Sequence, residues 1–255
     1  MVTVESRDGV LRIVIDDPER RNPMSNDVMR EIRKAIETGA TDEAVRVLVI
    51  TGAGDRAFSA GGDLSGGFVD DVLAGHGSRG ELADLFRSMM RTPKPIIARV
   101  NGVALGGGFG LAVAADISIA ADHARMGTPE VGLGLWPMMI SSVLIRSMPR
   151  KALLEMMMTG RILEAREAAD LGLVTRVVAS DELDGEVDDV IARLMSLSPA
   201  TIALGKQAFY AMADMDTDSS LDFLHLGLTA AALTEDGSEG VAAFTEKRPP
   251  VWKGR

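Results

Sequence analysis

Two apolar, β-branched runs, residues 47–51 (Val-Leu-Val-Ile-Thr) and Ile96–Val100, each lead into a glycine-rich loop. The loops read Ala57-Phe58-Ser59-Ala60-Gly61-Gly62-Asp63 and Asn101-Gly102-Val103-Ala104-Leu105-Gly106-Gly107-Gly108. Unbroken runs of this kind read as strands covered on both faces. Glycine lets a backbone N–H approach a ligand with no Cβ in the way. The second loop opens into a helical pattern, Phe109 to Ala115, and neither Leu105 nor Gly106 carries a side-chain oxygen to cap it. Its first N–H groups are thereby left for an external acceptor. Two such loops facing one another would form an oxyanion hole from main-chain donors alone. A dinucleotide-binding fold fits less well, because no Gly-x-Gly-x-x-Gly opens a helix after the first strand.

The rest of the chain organises around these runs. Residues 2–5 and 11–15 read as a hairpin about Arg7-Asp8-Gly9. Ser25 is placed to cap a helix through Ile36, with Val28, Met29, Ile32, Ala35 and Ile36 on one face. Residues 65–80 are glycine-rich with mixed charge and read as a mobile loop. A helix is expected over 81–90 and a further strand over 117–120. From Pro137 the pattern is almost wholly helical (137–148, 150–158, 165–171, 182–197, 199–212, 219–233, 237–245), with one short strand within 173–178. The expectation is an α/β core over residues 1–195 and a helical C-terminal region over 196–255.

Composition narrows the chemistry. The 255 residues, 46% hydrophobic, suffice to bury a full core. A net charge of -10 argues against nucleic acid or an anionic membrane surface as main partner. There is no cysteine, which removes disulfides, thiolate metal sites and a Cys nucleophile. His76, His123 and His225 have no metal-ligand spacing, so no metal is expected. With no signal pattern and no spanning apolar run, a soluble cytoplasmic protein is the expectation.

Six segments, taken in order, resemble the crotonase superfamily, the enoyl-CoA hydratase/isomerase group. Residues 17–25 (DPERRNPMS) are similar to its RPEKRNALS segment, and 49–52 with 57–63 to its VLTG…AFSAGAD block. Residues 101–110 resemble NGYALGGGCE, and 128–134 (TPEVGLG) the PEVxLG block. Residues 159–174 resemble TGRxxxAxEAxxxGLV, and 244–250 (FTEKRPP) the FxEKRxP tail. The resemblance implies a crotonase-like spiral of ββα units with a C-terminal helical trimerisation region, assembled as a homotrimer or dimer of trimers. It implies an acyl-CoA thioester as ligand, with no cofactor beyond the coenzyme A of the substrate.

Carried over motif by motif, the resemblance makes the N–H groups of Ala60 and Gly107 the oxyanion donors and Glu130 the catalytic acid/base. Ala57, Phe58, Gly61, Asp63, Leu64 and Gly106 become substrate- or CoA-binding residues around them. Arg21 and Asn22, with neighbouring Arg20, fall where the family meets the nucleotide of CoA. Lys247 and Arg248 fall where its C-terminal tail does so. Asp63 could instead hold its loop through backbone N–H bonds, and Asp116 reads as structural. Trp136 and the methionines after it would shape an apolar acyl pocket, though a buried helix start explains them almost as well.

One departure bears on the reaction. In two-glutamate hydratases the second glutamate stands three residues after the middle glycine, and here that position is Gly110. Adding water across a double bond divides the work between two carboxylates. Moving a double bond needs one base that carries a proton between two carbons. Asp70, Asp71 or His76 could supply a second group. The readings left open are an enoyl-CoA hydratase, a Δ3–Δ2-enoyl-CoA isomerase, a CoA-thioester binding protein with little catalysis, and a decarboxylase or thioester hydrolase on the same scaffold.

Overall fold

The computed structural model describes residues 1–63 and 75–255. Strands β1 (Val2–Arg7) and β2 (Val10–Ile15) pair antiparallel with Arg7 opposite Val10. The turn residues Asp8 and Gly9 both have positive φ, 50° and 82°, as a two-residue hairpin turn requires. Helix α1 (Asn26–Thr41) starts where Ser25 Oγ accepts the Val28 N–H at 3.2 Å. It runs past Ile36 to Thr41, with Gly39 buried in its last turns.

The chain then repeats one unit. Strand β3 (Val47–Gly52) is followed by β4 (Ala57–Ser59), α2 (Gly75–Arg79) and α3 (Glu81–Arg91). Strand β5 (Ile96–Val100) is followed by β6 (Val103–Leu105) and α4 (Gly107–Ala114). Strand β7 (Ile117–Ala121) is followed by β8 (Arg125–Gly127), a 3-10 turn (Pro129–Leu133) and α5 (Met138–Leu144). After α6 (Arg150–Thr159) come β9 (Ile162–Glu164), α7 (Ala165–Asp170), β10 (Arg176–Val178) and α8 (Leu183–Met195). Helices α9 (Pro199–Met212), α10 (Thr217–Ala232) and α11 (Glu235–Glu246) close the chain.

In each unit the first strand joins one sheet and the second strand another. The larger sheet has the order β1-β2-β3-β5-β7-β10 and is parallel from β2 onward; the smaller has the order β4-β6-β8-β9. This is the expected spiral of ββα units. The second sheet was not visible as strands in the sequence: each of its members is three residues long, too short to show a period. Most of the expected mobile loop, residues 64–74, lies outside the described residues; its end is the helix α2.

Strand β3 is buried at all six positions because both faces of the larger sheet are covered. On one face Leu48, Ile50, Ile96 and Ala98 meet α1 and α3 through Ile32, Ile36, Leu85 and Met89. On the other, Val47, Val49, Ile97 and Ile119 meet Leu183, Val187, Val190 and Ile191 of α8.

Helices α9 and α10 have no buried residue. Helix α9 is tied to the core by polar bonds. Lys206 Nζ donates to Asp116 Oδ2 at 2.7 Å and to the Lys94 carbonyl at 2.9 Å, and the Tyr210 hydroxyl donates to Asp116 Oδ1 at 3.0 Å. Asp116 Oδ2 also accepts the Ile96 N–H at 2.7 Å, so Asp116 is structural. Among the described residues no helix is long and apolar enough to cross a membrane.

Candidate active site

Two buried asparagines join the glycine loops. Asn101 Oδ1 accepts the Gly52 N–H, while its Nδ2 donates to the carbonyls of Gly52, Gly54 and Ala57 at 2.9, 2.7 and 3.2 Å. Asn22 Oδ1 accepts the Asp17 N–H at 3.0 Å, and its Nδ2 donates to Ala53 and Ala57 at 3.0 and 2.7 Å. Asn22 is fully buried. Its expected role on the nucleotide of CoA is therefore corrected: the side chain is saturated by backbone groups and faces no ligand. The side chains of Ala57 and Phe58 are in the core and face no ligand.

The first loop lies against the segment after Asn22. Ala60 N–H donates to the Arg21 carbonyl at 2.9 Å. Ala60 is therefore not an oxyanion donor, which overturns that expectation. Gly61 is also engaged: its N–H meets Ser59 Oγ at 3.2 Å and its carbonyl accepts the Met24 N–H at 2.8 Å. Asp63 N–H returns to the Met24 carbonyl at 3.3 Å. Gly62 sits between these two bonds. A trans peptide places N–H and C=O on opposite sides, so the Gly61–Gly62 peptide, with its carbonyl held on Met24, turns the Gly62 N–H away from Met24. That N–H has no partner among the described residues. Among the described residues a Cβ on Gly62 would meet nothing within 4 Å.

The second loop abuts the first. A Cβ on Gly61 would lie 2.8 Å from the Leu105 carbonyl oxygen and 3.7 Å from Gly106 Cα. Gly106 is the N-cap of α4, at φ 50°, with no side-chain cap. It does not donate to a ligand either, because its N–H reaches the Gly127 carbonyl at 2.9 Å and its carbonyl accepts from Gly110. Gly107 is the first helical residue, and its N–H has no partner among the described residues. The free amides at this junction are thus those of Gly62 and Gly107, the latter on a helix N-terminus.

Glu130 lies in the 3-10 turn after β8. Its Oε1 would be 2.9 Å from a Cβ on Gly106, which puts the carboxylate beside the peptide preceding Gly107. Its Oε2 is buried with no hydrogen-bond partner among the described residues. Burial pushes the Glu130 carboxyl above its ordinary value, and a hydrogen bond to its own backbone opposes that only in part. A buried carboxyl oxygen without a partner is costly, and a carboxyl shifted by burial marks Glu130 as a candidate functional group.

The surrounding wall is apolar. The Cβ position of Gly107 is 3.2 Å from Met24 Cε and 3.5 Å from Leu82 Cδ2. One turn on, a Cβ at Gly110 would lie 2.3 Å from Ile140 Cγ2 and 2.9 Å from Phe86 Cζ. The Cβ position of Gly110, the start of any side chain there, is occupied by Ile140 of α5 and Phe86 of α3. Trp136 is half-buried in the segment between the 3-10 turn and α5 and packs against the same core.

The remaining expected residues are not gathered here. Arg20 Nη2 pairs with Asp63 Oδ2 at 2.9 Å. Arg21 is exposed at the mouth of this segment, its carbonyl holding Ala60. Lys247 is exposed at the end of α11, while Arg248 is held by both oxygens of Glu239 at 2.6 and 2.9 Å. No bond among the described residues joins either to the glycine loops. His76 is exposed on α2, and Leu64, Asp70 and Asp71 lie outside the described residues. Gly62, inside the Ala57–Asp63 motif, carries a free amide that residue type alone did not single out.

Comparison with known proteins places the chain in a family. The family model described as enoyl-CoA hydratase/isomerase matches residues 5–255. The chain belongs to the enoyl-CoA hydratase/isomerase family. A relative in Thermus thermophilus, a putative enoyl-CoA hydratase, is 36% identical over 98% of this chain and 99% of its own length. Carnitinyl-CoA dehydratase of Escherichia coli is 36% identical over 98% of this chain and 97% of its own. Among solved structures, an enoyl-CoA hydratase of Mycobacterium smegmatis superposes with a TM-score of 0.95 at 31% identity, covering 98% of each chain. Human enoyl coenzyme A hydratase domain-containing protein 3 gives 0.95 at 31% identity, covering 98% of this chain and 99% of its own. Members of the enoyl-CoA hydratase/isomerase family act on acyl-CoA thioesters, and the observed fold is theirs.

Proposed function

We propose that the protein carries out proton transfer on an acyl-CoA thioester through an enolate. The amides of Gly62 and Gly107 would hold the thioester oxygen, and Glu130 would act as the acid/base. The observation that carries this is the pairing of two unpartnered main-chain N–H groups with a buried, unpartnered carboxyl oxygen at one loop junction. Charge grows on the oxygen as a proton leaves the α-carbon, and each fixed donor is worth roughly 3 kcal/mol in the transition state.

Within that chemistry the wall around Gly110 favours isomerisation over hydration. Glu130 takes a proton from C2 of a 3-enoyl-CoA, the electrons pass into a dienolate held by the two amides, and the same carboxyl returns the proton at C4. Both steps need one carboxyl, and coenzyme A serves only as part of the substrate. Hydration needs a second group to hold water, and Ile140 and Phe86 occupy the Cβ position of Gly110 where its side chain would start. The same absence favours the second reading, a thioester-binding protein with little catalysis.

The test offers a 3-enoyl-CoA and crotonyl-CoA separately and follows thioester absorbance. Turnover of the 3-enoyl ester, lost in Glu130→Gln, is expected. No turnover of either ester by folded protein refutes the enzyme reading, and calorimetric binding of the ester would then support the binding protein.

We also propose that further copies of the chain cover α9 and α10 in a homotrimer or dimer of trimers. Leu226 and Leu228 are each 71% exposed, with Leu221, Phe223 and Phe209 beside them in the same two helices. Exposed apolar surface of this kind marks an interface. Light scattering should give a mass of three or six chains, reduced by Leu226→Asp with Leu228→Asp.

A further inference from the structure

Among the described residues nothing lies within 4 Å of the place where a Gly62 Cβ would stand. Backbone bonds of the peptides on either side set the direction of its N–H. On the N-terminal side, Met24 N–H holds the Gly61 carbonyl at 2.8 Å. On the C-terminal side, the backbone bond from Asp63 to Met24 is longer, at 3.3 Å. The Asp63 side chain reinforces that weaker side. Its Oδ2 is 2.9 Å from Arg20 Nη2, and its carboxylate is only 17% exposed.

Arg20 is itself anchored to the segment that carries Met24. Its backbone N–H donates to both the carbonyl and Oδ1 of Asp17, at 3.2 and 3.3 Å. Asp17 N–H is in turn held by the buried Asn22. Arg21 and Asn22, both at positive φ (63° and 55°), reverse the chain so that Met24 faces the glycine loop while Arg20 reaches Asp63 beyond it. The two contacts lie on opposite sides of Gly62 and belong to one short segment.

We propose that the Arg20–Asp63 ion pair is a positioning clamp for the Gly62 amide, so that Arg20 acts on the thioester oxygen through Asp63 and not on the CoA phosphates. This rests on the oxyanion reading given above. The pair closes the C-terminal side of the loop, opposite the Gly61 N–H that Ser59 Oγ accepts at 3.2 Å. Loosening it lets the Gly62 N–H rotate off the thioester oxygen while the binding surface for the rest of the substrate is unchanged. Misplacement of a catalytic group on the order of 1 Å costs up to ~100-fold in rate, and a loosened clamp is expected to cost about tenfold in kcat with KM within about twofold.

The experiment compares wild type with Arg20→Gln, Asp63→Asn and the exchanged pair Arg20→Asp with Asp63→Arg. Two readouts are taken: kcat against KM, and the red shift of a conjugated dienoyl-CoA on binding. That shift reports polarisation of the thioester carbonyl by the two amides. Expected are a lower kcat and a smaller red shift in both single variants, with both readouts partly restored in the exchanged pair. A rise in KM with kcat and red shift unchanged overturns the clamp and makes Arg20 a phosphate contact. A wild-type shift that survives intact in both single variants also overturns it. A wild-type protein that binds the probe with no shift overturns the oxyanion reading itself, and the clamp with it.

Discussion

Gly110 is the position where this chain departs from two-carboxylate members of its family, and the packing there makes a quantitative prediction. A Cβ would lie 2.3 Å from Ile140 Cγ2, 2.9 Å from Ile140 Cβ and 2.9 Å from Phe86 Cζ. Ordinary carbon contacts are about 3.5–4.0 Å, so α4 and α5 must separate by roughly an ångström or Ile140 must leave its rotamer. In an unhindered helix, glycine to alanine gains about 1 kcal/mol. Overpacking of a close-packed core costs about 1–3 kcal/mol and occasionally more. With clashes on two fully packed side chains the second effect wins, and Gly110→Ala should lose about 1–2 kcal/mol net. Ile140→Ala alone should lose about 2–5 kcal/mol by opening a cavity. Because the new methyl fills that cavity, the double variant should be more stable than the sum predicts by about 1–2 kcal/mol. Urea midpoints for the four proteins measure this. A Gly110→Ala protein as stable as wild type, or a strictly additive double variant, refutes the packing argument. Ile140→Ala alone does not make room for a glutamate at 110, because the Ile140 Cβ and Phe86 Cζ each still lie 2.9 Å from the Cβ position.

Two further predictions concern charge. Burial raises the Glu130 carboxyl above its ordinary 4.5, so between that value and its folded one the native state binds more protons than the unfolded state, and stability falls as pH rises through this window. Glu130→Gln should therefore melt higher than wild type at pH 7, the gap closing below about pH 4; a gap independent of pH would show that burial of the charge is not its cause. Lys206 is 7% exposed against Asp116 at 2.7 Å, and removing one partner of such a buried pair costs about 3–5 kcal/mol. Lys206→Met should lower the urea midpoint and raise amide hydrogen exchange first in α9, and unchanged exchange there would refute its role as the tie between α9 and the core.

Much of this protein was determined by local sequence. The hydrophobic runs of β3 and β5 place two strands inside a covered parallel sheet wherever the helices end up. Ser25 caps α1 through an oxygen three residues from its target. The lack of a side chain at Gly110 removes the second carboxylate before any fold is considered. The character of the site was legible too, because glycine loops and an uncapped helix start are properties of residue type.

Which amide in the first loop is left free was decided only by tertiary structure. Every non-proline residue carries the same main-chain N–H, so residue type does not say which one lacks a partner. The Ala60 amide is taken by Arg21, 39 residues earlier in the chain, and the Gly62 amide is turned outward by Met24. The fate of Asn22 follows the same logic: its partners are carbonyls at 53 and 57, reached only once the chain has doubled back. The second sheet was hidden because its three-residue strands are held by hydrogen bonds to distant strands and not by any period of their own. Polar groups find their partners through space, whereas apolar faces and caps are written along the chain.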